Sequence, residues 1–169
     1  KKDSTGICFI GDRKYNDFVS QFLKSNKGKI ITVDGEEIGV HNGHMYFTVG
    51  QRRGLGIANE DPLYVVDIIK DKNQIIVGDK KDLLGKSLLL GDLNFIMPEY
   101  DLSKKTVEIP CSAKIRSLSE PKKGKLIKQS TSYSFEFDEP AEAITKGQAC
   151  VLYDNDRVLG GGIIKQKLN

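Results

Sequence analysis

In the stretch Thr131-Ser132-Tyr133-Ser134-Phe135-Glu136-Phe137 aromatic and polar residues alternate strictly from Ser132 onward. A period of two puts Tyr133, Phe135 and Phe137 on one face and Ser132, Ser134 and Glu136 on the other, the pattern of a β-strand with one buried side. Such an aromatic face is either core or a platform for stacking bases, and core is the commoner use. The segments around it share the habit. Thr106 to Ile115 reads as a long strand, with Pro110 marking an edge or a bulge. Lys125 to Gln129 follows a lysine-rich turn, Pro121-Lys122-Lys123-Gly124. Gln148 to Tyr153, the turn Asp154-Asn155-Asp156, and Val158 to Lys165 form a hairpin. Short strands with turn signals every ~8–12 residues predict a small barrel over 99–169.

Ahead of the barrel, Met97-Pro98-Glu99-Tyr100-Asp101 combines proline, charge and a change of pattern, as a domain boundary does. The preceding part, 12–98, opens with a helical period. Tyr15, Phe18, Val19, Phe22 and Leu23 recur at i, i+3, i+4, i+7 and i+8, predicting an amphipathic helix from Asp12 to Leu23, with Gly28 past its end. The period then becomes that of strands. Lys29 to Val33 and Glu36 to His41 flank Asp34-Gly35, a strong hairpin signal. His44 to Val49 is a further strand candidate, and Leu63 to Lys70 and Gln74 to Val77 are strands joined at Asp71-Lys72-Asn73. Leu83 to Leu90 fits either a turn of helix or a strand. The fold class expected is mainly β with one N-terminal helix (α+β): a small central β-rich domain followed by a C-terminal β-barrel.

The chain has 169 residues, 38% hydrophobic and 29% charged, enough for a packed core and against wholesale disorder. No apolar run approaches the ~18 residues of a membrane span, and Lys1-Lys2-Asp3-Ser4 has no signal-peptide character. The chain opens on Lys1 rather than Met, as a piece of a longer protein would. A net charge of +3 permits a nucleic-acid partner without identifying one. The three cysteines, Cys8, Cys111 and Cys150, lie far apart with no CxxC pair, which argues against a zinc site or a disulfide scaffold and for a reducing compartment. His41 and His44 would face opposite ways in an extended segment, which argues against joint metal ligation.

Three places carry possible chemistry. Cys8, in Ser4-Thr5-Gly6-Ile7-Cys8-Phe9-Ile10-Gly11, lies just upstream of the expected helix start at Asp12, where oriented amides favour a thiolate. A small buried hydrophobe is the alternative for that thiol. Cys111 and Cys150 fall inside predicted strands, as core residues would. The loop Gly50-Gln51-Arg52-Arg53-Gly54-Leu55-Gly56 is neither a Walker A motif nor a GxGxxG fingerprint. Its glycines allow close backbone approach, and Arg52 and Arg53 offer forked donors for phosphate, or are simply solvated. Lys114-Ile115-Arg116-Ser117 with Lys122, Lys123, Lys125 and Lys128 would suit a phosphate backbone or, equally, guard a strand edge. Asp34, Glu36 and Glu37 sit at a turn as solvated acids, and no Ser/His/Asp constellation can be assembled.

The block Asp3 to Gly11, the loop Gly50 to Gly56 and the late run Leu159-Gly160-Gly161-Gly162-Ile163-Ile164 occur in an order that resembles the tRNA-specific 2-thiouridylase family over essentially the whole chain. The resemblance implies an enzyme that replaces the C2 oxygen of a wobble uridine with sulfur. In the family an ATP-pyrophosphatase domain, using ATP with Mg, adenylates that oxygen, and one cysteine there acts as nucleophile. A second cysteine, at the position of Cys8, carries the incoming sulfur as a persulfide. No Ser-Gly-Gly-x-Asp-Ser-type ATP loop and no first cysteine occur in this sequence. The resemblance therefore implies the end of a catalytic domain over 1–11, a central tRNA-binding domain and the barrel, inactive as an isolated fragment and without a cofactor of its own. It also implies tRNA and a persulfide sulfur-donor protein as partners, no membrane, a location in the cytoplasm or an organelle, and tRNA contacts at Arg116, Ser117 and Gln148. Arg52 and Arg53 join them on physical grounds alone. The competing readings are a translation-factor-like barrel that binds RNA without chemistry, and a structural β-domain with no RNA role.

Overall fold

The structure, a computed structural model, describes residues 15–23, 25–97 and 103–168. They form two compact units that divide between Val77 and Gly78.

The first unit begins with helix α1, Tyr15–Val19, shorter than the expected Asp12–Leu23, of which 12–14 lie outside the described residues. The chain turns after Val19, whose carbonyl accepts from both Phe22 N at 3.0 Å and Leu23 N at 3.0 Å. The far end of the apolar stripe is consequently not buried: Phe22 is 71% exposed and rests against Phe18, ring centroids 5.0 Å apart. Four strands follow, β1 Gly28–Thr32, β2 Glu37–His41, β3 Tyr64–Ile69 and β4 Gln74–Gly78, in the order β2-β1-β4-β3. The Asp34-Gly35 hairpin joins β1 to β2, while β1 runs parallel to β4 with Ile30 beside Ile75. Ile30, Leu55, Val65, Ile75 and Val77 make the core. His44–Tyr46, within the expected strand 44–49, is instead a 3-10 turn, with Tyr46 N on Gly43 O and Phe47 N on His44 O.

That turn changes the histidines. His41 and His44 do not diverge; both converge on Asn73. Gly43 N donates to His41 Nδ1 at 3.0 Å, which leaves the ring proton on Nε2, 3.2 Å from the Asn73 carbonyl. Asn73 uses its amide to reach Asn26 O and Lys27 O, so its Oδ1 is the acceptor for His44 Nδ1 at 3.2 Å. His41 is buried, and burial, with the neighbouring His44 adding to it, lowers its pKa from the ordinary 6.5. A second proton on His41 would set Nδ1–H against the Gly43 amide.

The second unit is a closed barrel of β5 Leu84–Phe95, β6 Thr106–Lys114, β7 Lys122–Gln129, β8 Ser132–Glu142, β9 Ala149–Asp154 and β10 Arg157–Leu168, ordered β10-β5-β8-β7-β6-β9 with β9 returning to β10. The ambiguous stretch 83–90 is thus mostly strand, and it lies in this unit although it precedes the expected boundary at 97–101, of which 98–101 lie outside the described residues. The aromatic face is core: Phe135 and Phe137 are buried, rings 4.8 Å apart, among Leu88, Leu126, Leu152 and Ile164. Pro110 pairs with Lys125 of β7 at a level where β9 has not yet joined, since the β6–β9 ladder begins at Ser112. The missing proline donor is therefore tolerated.

Two glycine sites explain themselves by contact. Lys122-Lys123-Gly124 is strand rather than turn, and a Cβ on Gly124 would fall 2.1 Å from Glu136 O and 2.7 Å from the Phe135 ring. In the late glycine run, Cβ atoms on Gly160, Gly161 and Gly162 would meet Asn94 O, Cys150 O and Gly91 O at 2.2, 2.7 and 2.8 Å. The run is bare backbone where β10 lies between β5 and β9.

The His41 arrangement has a definite pH signature. The unfolded chain takes up a proton near pH 6.5 and the native ring resists it, so the unfolded state binds more protons below that pH. Stability of the first unit is expected to be full above about pH 6.5 and to fall on acidification, by at most about 1.4 kcal/mol per pH unit for one proton. Urea melts between pH 7.5 and 5 on the wild type and on His41→Gln would show it: the pH dependence should flatten in the variant.

Candidate nucleic-acid interface

The barrel brings Arg116, Ser117 and Gln148 to one end. The β6–β9 register pairs Ser112 with Tyr153, Ala113 with Leu152 and Lys114 with Val151. The ladder ends there, so β6 runs out where β9 begins, and the connections that follow Lys114 and precede Ala149 lie at the same end of the barrel. The two connections that meet here, 115–121 and 143–148, are both braced. Ser119 donates to the Arg116 carbonyl through its amide at 3.2 Å and its hydroxyl at 2.9 Å, forming a tight turn with Ser117 at its crest. Arg116 Nη2 lies 3.4 Å from the Ala143 carbonyl, which also accepts from Thr145 Oγ1 at 2.9 Å. The guanidinium is therefore tethered to the second connection while the residue stays exposed.

Gln148 is fixed through its backbone, its amide on Thr145 O and its carbonyl accepting from Ile164 N. Its side-chain Oε1 is buried and has no hydrogen-bond partner among the described residues. An acceptor left so costs ~1–3 kcal/mol.

The charges at this end are mixed. Asp79 is held by Lys81 at 2.7 Å, a contact that keeps its carboxyl below the usual range, and Glu142 faces Lys80 at 3.3 Å. Asp138 and Glu139 share a shallow cleft with Lys122 and Lys123. Lys114 and Lys146 have no carboxylate partner among the described residues. The lysine run of β7 divides: Lys125 pairs across strands with Glu108 at 3.0 Å and Glu136 at 3.9 Å, and Glu108 raises its pKa, while Lys128 Nζ stands 6.0 Å from the Tyr133 ring. Lys125 thus ties the barrel wall together rather than waiting for phosphate.

On the first unit, Arg52 and Arg53 project from a loop that is pinned from within. Leu55 sinks into the core, and Gln51, to which the sequence assigns no role, accepts from Thr48 N at 3.1 Å and donates to the Arg53 carbonyl at 2.9 Å. A glutamine beside a glycine in a loop gives no periodic signal; only the folded backbone shows what it clamps. Both arginines are exposed and have no carboxylate partner among the described residues.

Cys8 lies outside the described residues. The other two thiols have no reactive setting. Burial pushes Cys111 up to about 11 and Cys150 up to about 12. Among the described residues no group of three or more His, Cys, Asp or Glu is placed to hold a metal ion, and no helix is long and apolar enough to cross a membrane.

Residues 16–79 match the family model described as tRNA methyl transferase PRC-barrel domain, and residues 85–164 the one described as aminomethyltransferase beta-barrel domain. A tRNA-specific 2-thiouridylase MnmA of Pseudomonas fluorescens is 43% identical over 173 residues, covering 98% of this chain and 45% of the relative. Those of Klebsiella pneumoniae and Salmonella arizonae are each 42% identical over 185 residues, covering 99% of this chain and 47% of the relative. The chain spans a little under half the length of these curated relatives.

With thiolates so disfavoured, Cys111 and Cys150 should resist iodoacetamide at pH 8 in the native protein and label readily in urea. Peptide mass mapping of the two states reads this directly.

Proposed function

This chain belongs to the tRNA-specific 2-thiouridylase family, and from that premise we propose that it supplies tRNA-gripping surfaces and the sulfur-carrying cysteine for 2-thiolation of a wobble uridine. The observation that carries the reading is that the connection bearing Arg116 and Ser117 and the one closed by Gln148 lie at one end of the barrel and are tied by Arg116 on the Ala143 carbonyl. Arg116 offers an exposed guanidinium whose position is set by its contact with the Ala143 carbonyl, a forked cation of the kind that suits phosphate oxygens. Ser117 adds a hydroxyl at the crest of its turn, and Gln148 closes the neighbouring connection. On the first unit Arg52 and Arg53 provide a second basic contact. Contacts of this kind set register on an RNA without reading its sequence.

Cys8 carries sulfur as a persulfide in this proposal, received from a persulfide donor protein. The leaving group explains the need for activation: oxide leaves poorly from C2 of uridine and AMP leaves well, so ATP with Mg supplies adenylation at a site outside the described residues. The barrel and the small unit hold the polyanion; the thiol delivers the atom.

Two experiments test the halves separately. In the full-length enzyme, Arg116→Ala should weaken tRNA binding roughly tenfold and reduce the slope of log affinity against log salt by about 1. Unchanged affinity and slope would remove the barrel end from the interface. Cys8→Ser should abolish sulfur transfer with tRNA affinity kept, and Cys8 should alkylate with a midpoint well below ~8.5. An ordinary thiol midpoint, together with undiminished thiolation in the serine variant, would leave an RNA-binding barrel without chemistry.

A further inference from the structure

The 52–63 segment of the first unit encloses a cleft of about 320 Å³. Its chain leaves and re-enters at one neck, where Gly50 N donates to Val65 O at 2.8 Å and Val65 N to Gln51 O at 2.9 Å. Loops closed at the neck and walled by their own side chains are frequently functional. This one is held open from inside. Leu55 anchors its middle, Gln51 clamps the outgoing limb, and Asn59 Nδ2 donates to the Asp61 carbonyl at 3.0 Å on the return limb. The volume lies at the low end of ligand clefts, ~300–1,000 Å³.

The lining is bipolar. Arg52 stands on the outgoing limb, and Glu60 and Asp61 on the return limb, all exposed and without ion pairs among the described residues. Pro62 and Leu63 add apolar surface. Gly54 and Gly56 have φ of 75° and 70°, and a Cβ on Gly56 would meet nothing within 4 Å, so the backbone rim is bare. An acidic ligand would meet the two carboxylates, and a basic one would meet Arg52. A nucleotide satisfies both ends: an anionic phosphate for the guanidinium, and neutral donors, the 2′-hydroxyl and exocyclic amines, for the carboxylates, with an apolar base face against Pro62 and Leu63.

Resting on the RNA-binding reading above, we propose that this cleft takes one unpaired nucleotide of the RNA, with Arg52 on its phosphate and Asp61 on its ribose or base donors. The nucleotide is unpaired because a cleft that takes in a base with its apolar face needs one splayed out of the stack, which single-stranded positions supply and a duplex does not.

The test uses fluorescence anisotropy on the full-length enzyme with a tRNA transcript, a ten-nucleotide single-stranded RNA and its DNA counterpart. Arg52→Ala should weaken binding of both oligonucleotides about fivefold and lower the salt slope by about 1. Asp61→Asn should erase a severalfold preference for RNA over DNA, since the 2′-hydroxyl is the donor that DNA lacks. An effect of Arg52→Ala with no change in the RNA-to-DNA ratio for Asp61→Asn would leave a bare phosphate contact and overturn the nucleotide site. If Arg116→Ala weakens tRNA binding while both loop variants match wild type on every probe, the cleft is wrong and the barrel interface stands. If the wild type binds none of the three probes, the RNA-binding reading falls, and the cleft with it.

Discussion

The barrel depends on β10 lying between β5 and β9 with no side chain in the way. Gly160, Gly161 and Gly162 make that possible, because any Cβ there would strike a neighbouring carbonyl. With β10 in place the sheet closes, all six strands have two partners, and no edge is left for another chain to extend. Closure also sets the stagger of β6 against β9, and that stagger puts the 115–121 and 143–148 connections side by side. The proposed tRNA contacts are thus a product of strand register, not of local sequence.

The first unit reaches its candidate surface differently. Its sheet is small, and the loop that carries Arg52 and Arg53 is stabilised by what it tucks inward: one leucine into the core and one glutamine across its own backbone. Such a loop keeps its charged side chains outward without a helix or strand beneath them. The two units therefore offer two kinds of contact, a rim of braced turns and a walled cleft.

Much of the fold was legible because the buried faces keep a strict period. Tyr133, Phe135 and Phe137 announced the barrel wall, and Asp34-Gly35 announced the first hairpin. What the period could not reveal was termination and company. Phe22 and Leu23 fit a helical stripe, yet the chain turns at Val19 and leaves Phe22 exposed. Gly124 resembled a turn residue after two lysines, but it is a strand residue kept small by the Phe135 ring. His41 and His44 looked divergent because their segment was read as extended, and a 3-10 turn folds both onto Asn73. Of the candidate site, Arg116, Ser117 and Gln148 were named through resemblance; their proximity depends on register, which no single segment encodes. Gln51, Glu60 and Asp61 had no pattern to betray them.

The depth at which Cys150 is set, and the half-burial of Cys111, matter for a protein proposed to handle labile sulfur. A sulfane sulfur is passed to whichever nucleophile meets it first, and bystander thiolates would scramble the cargo. With Cys111 at about 11 and Cys150 at about 12, the fraction ionised near neutrality is on the order of one in thousands or less. The barrel wall is chemically quiet, and neither thiol offers a competing acceptor for such a sulfur.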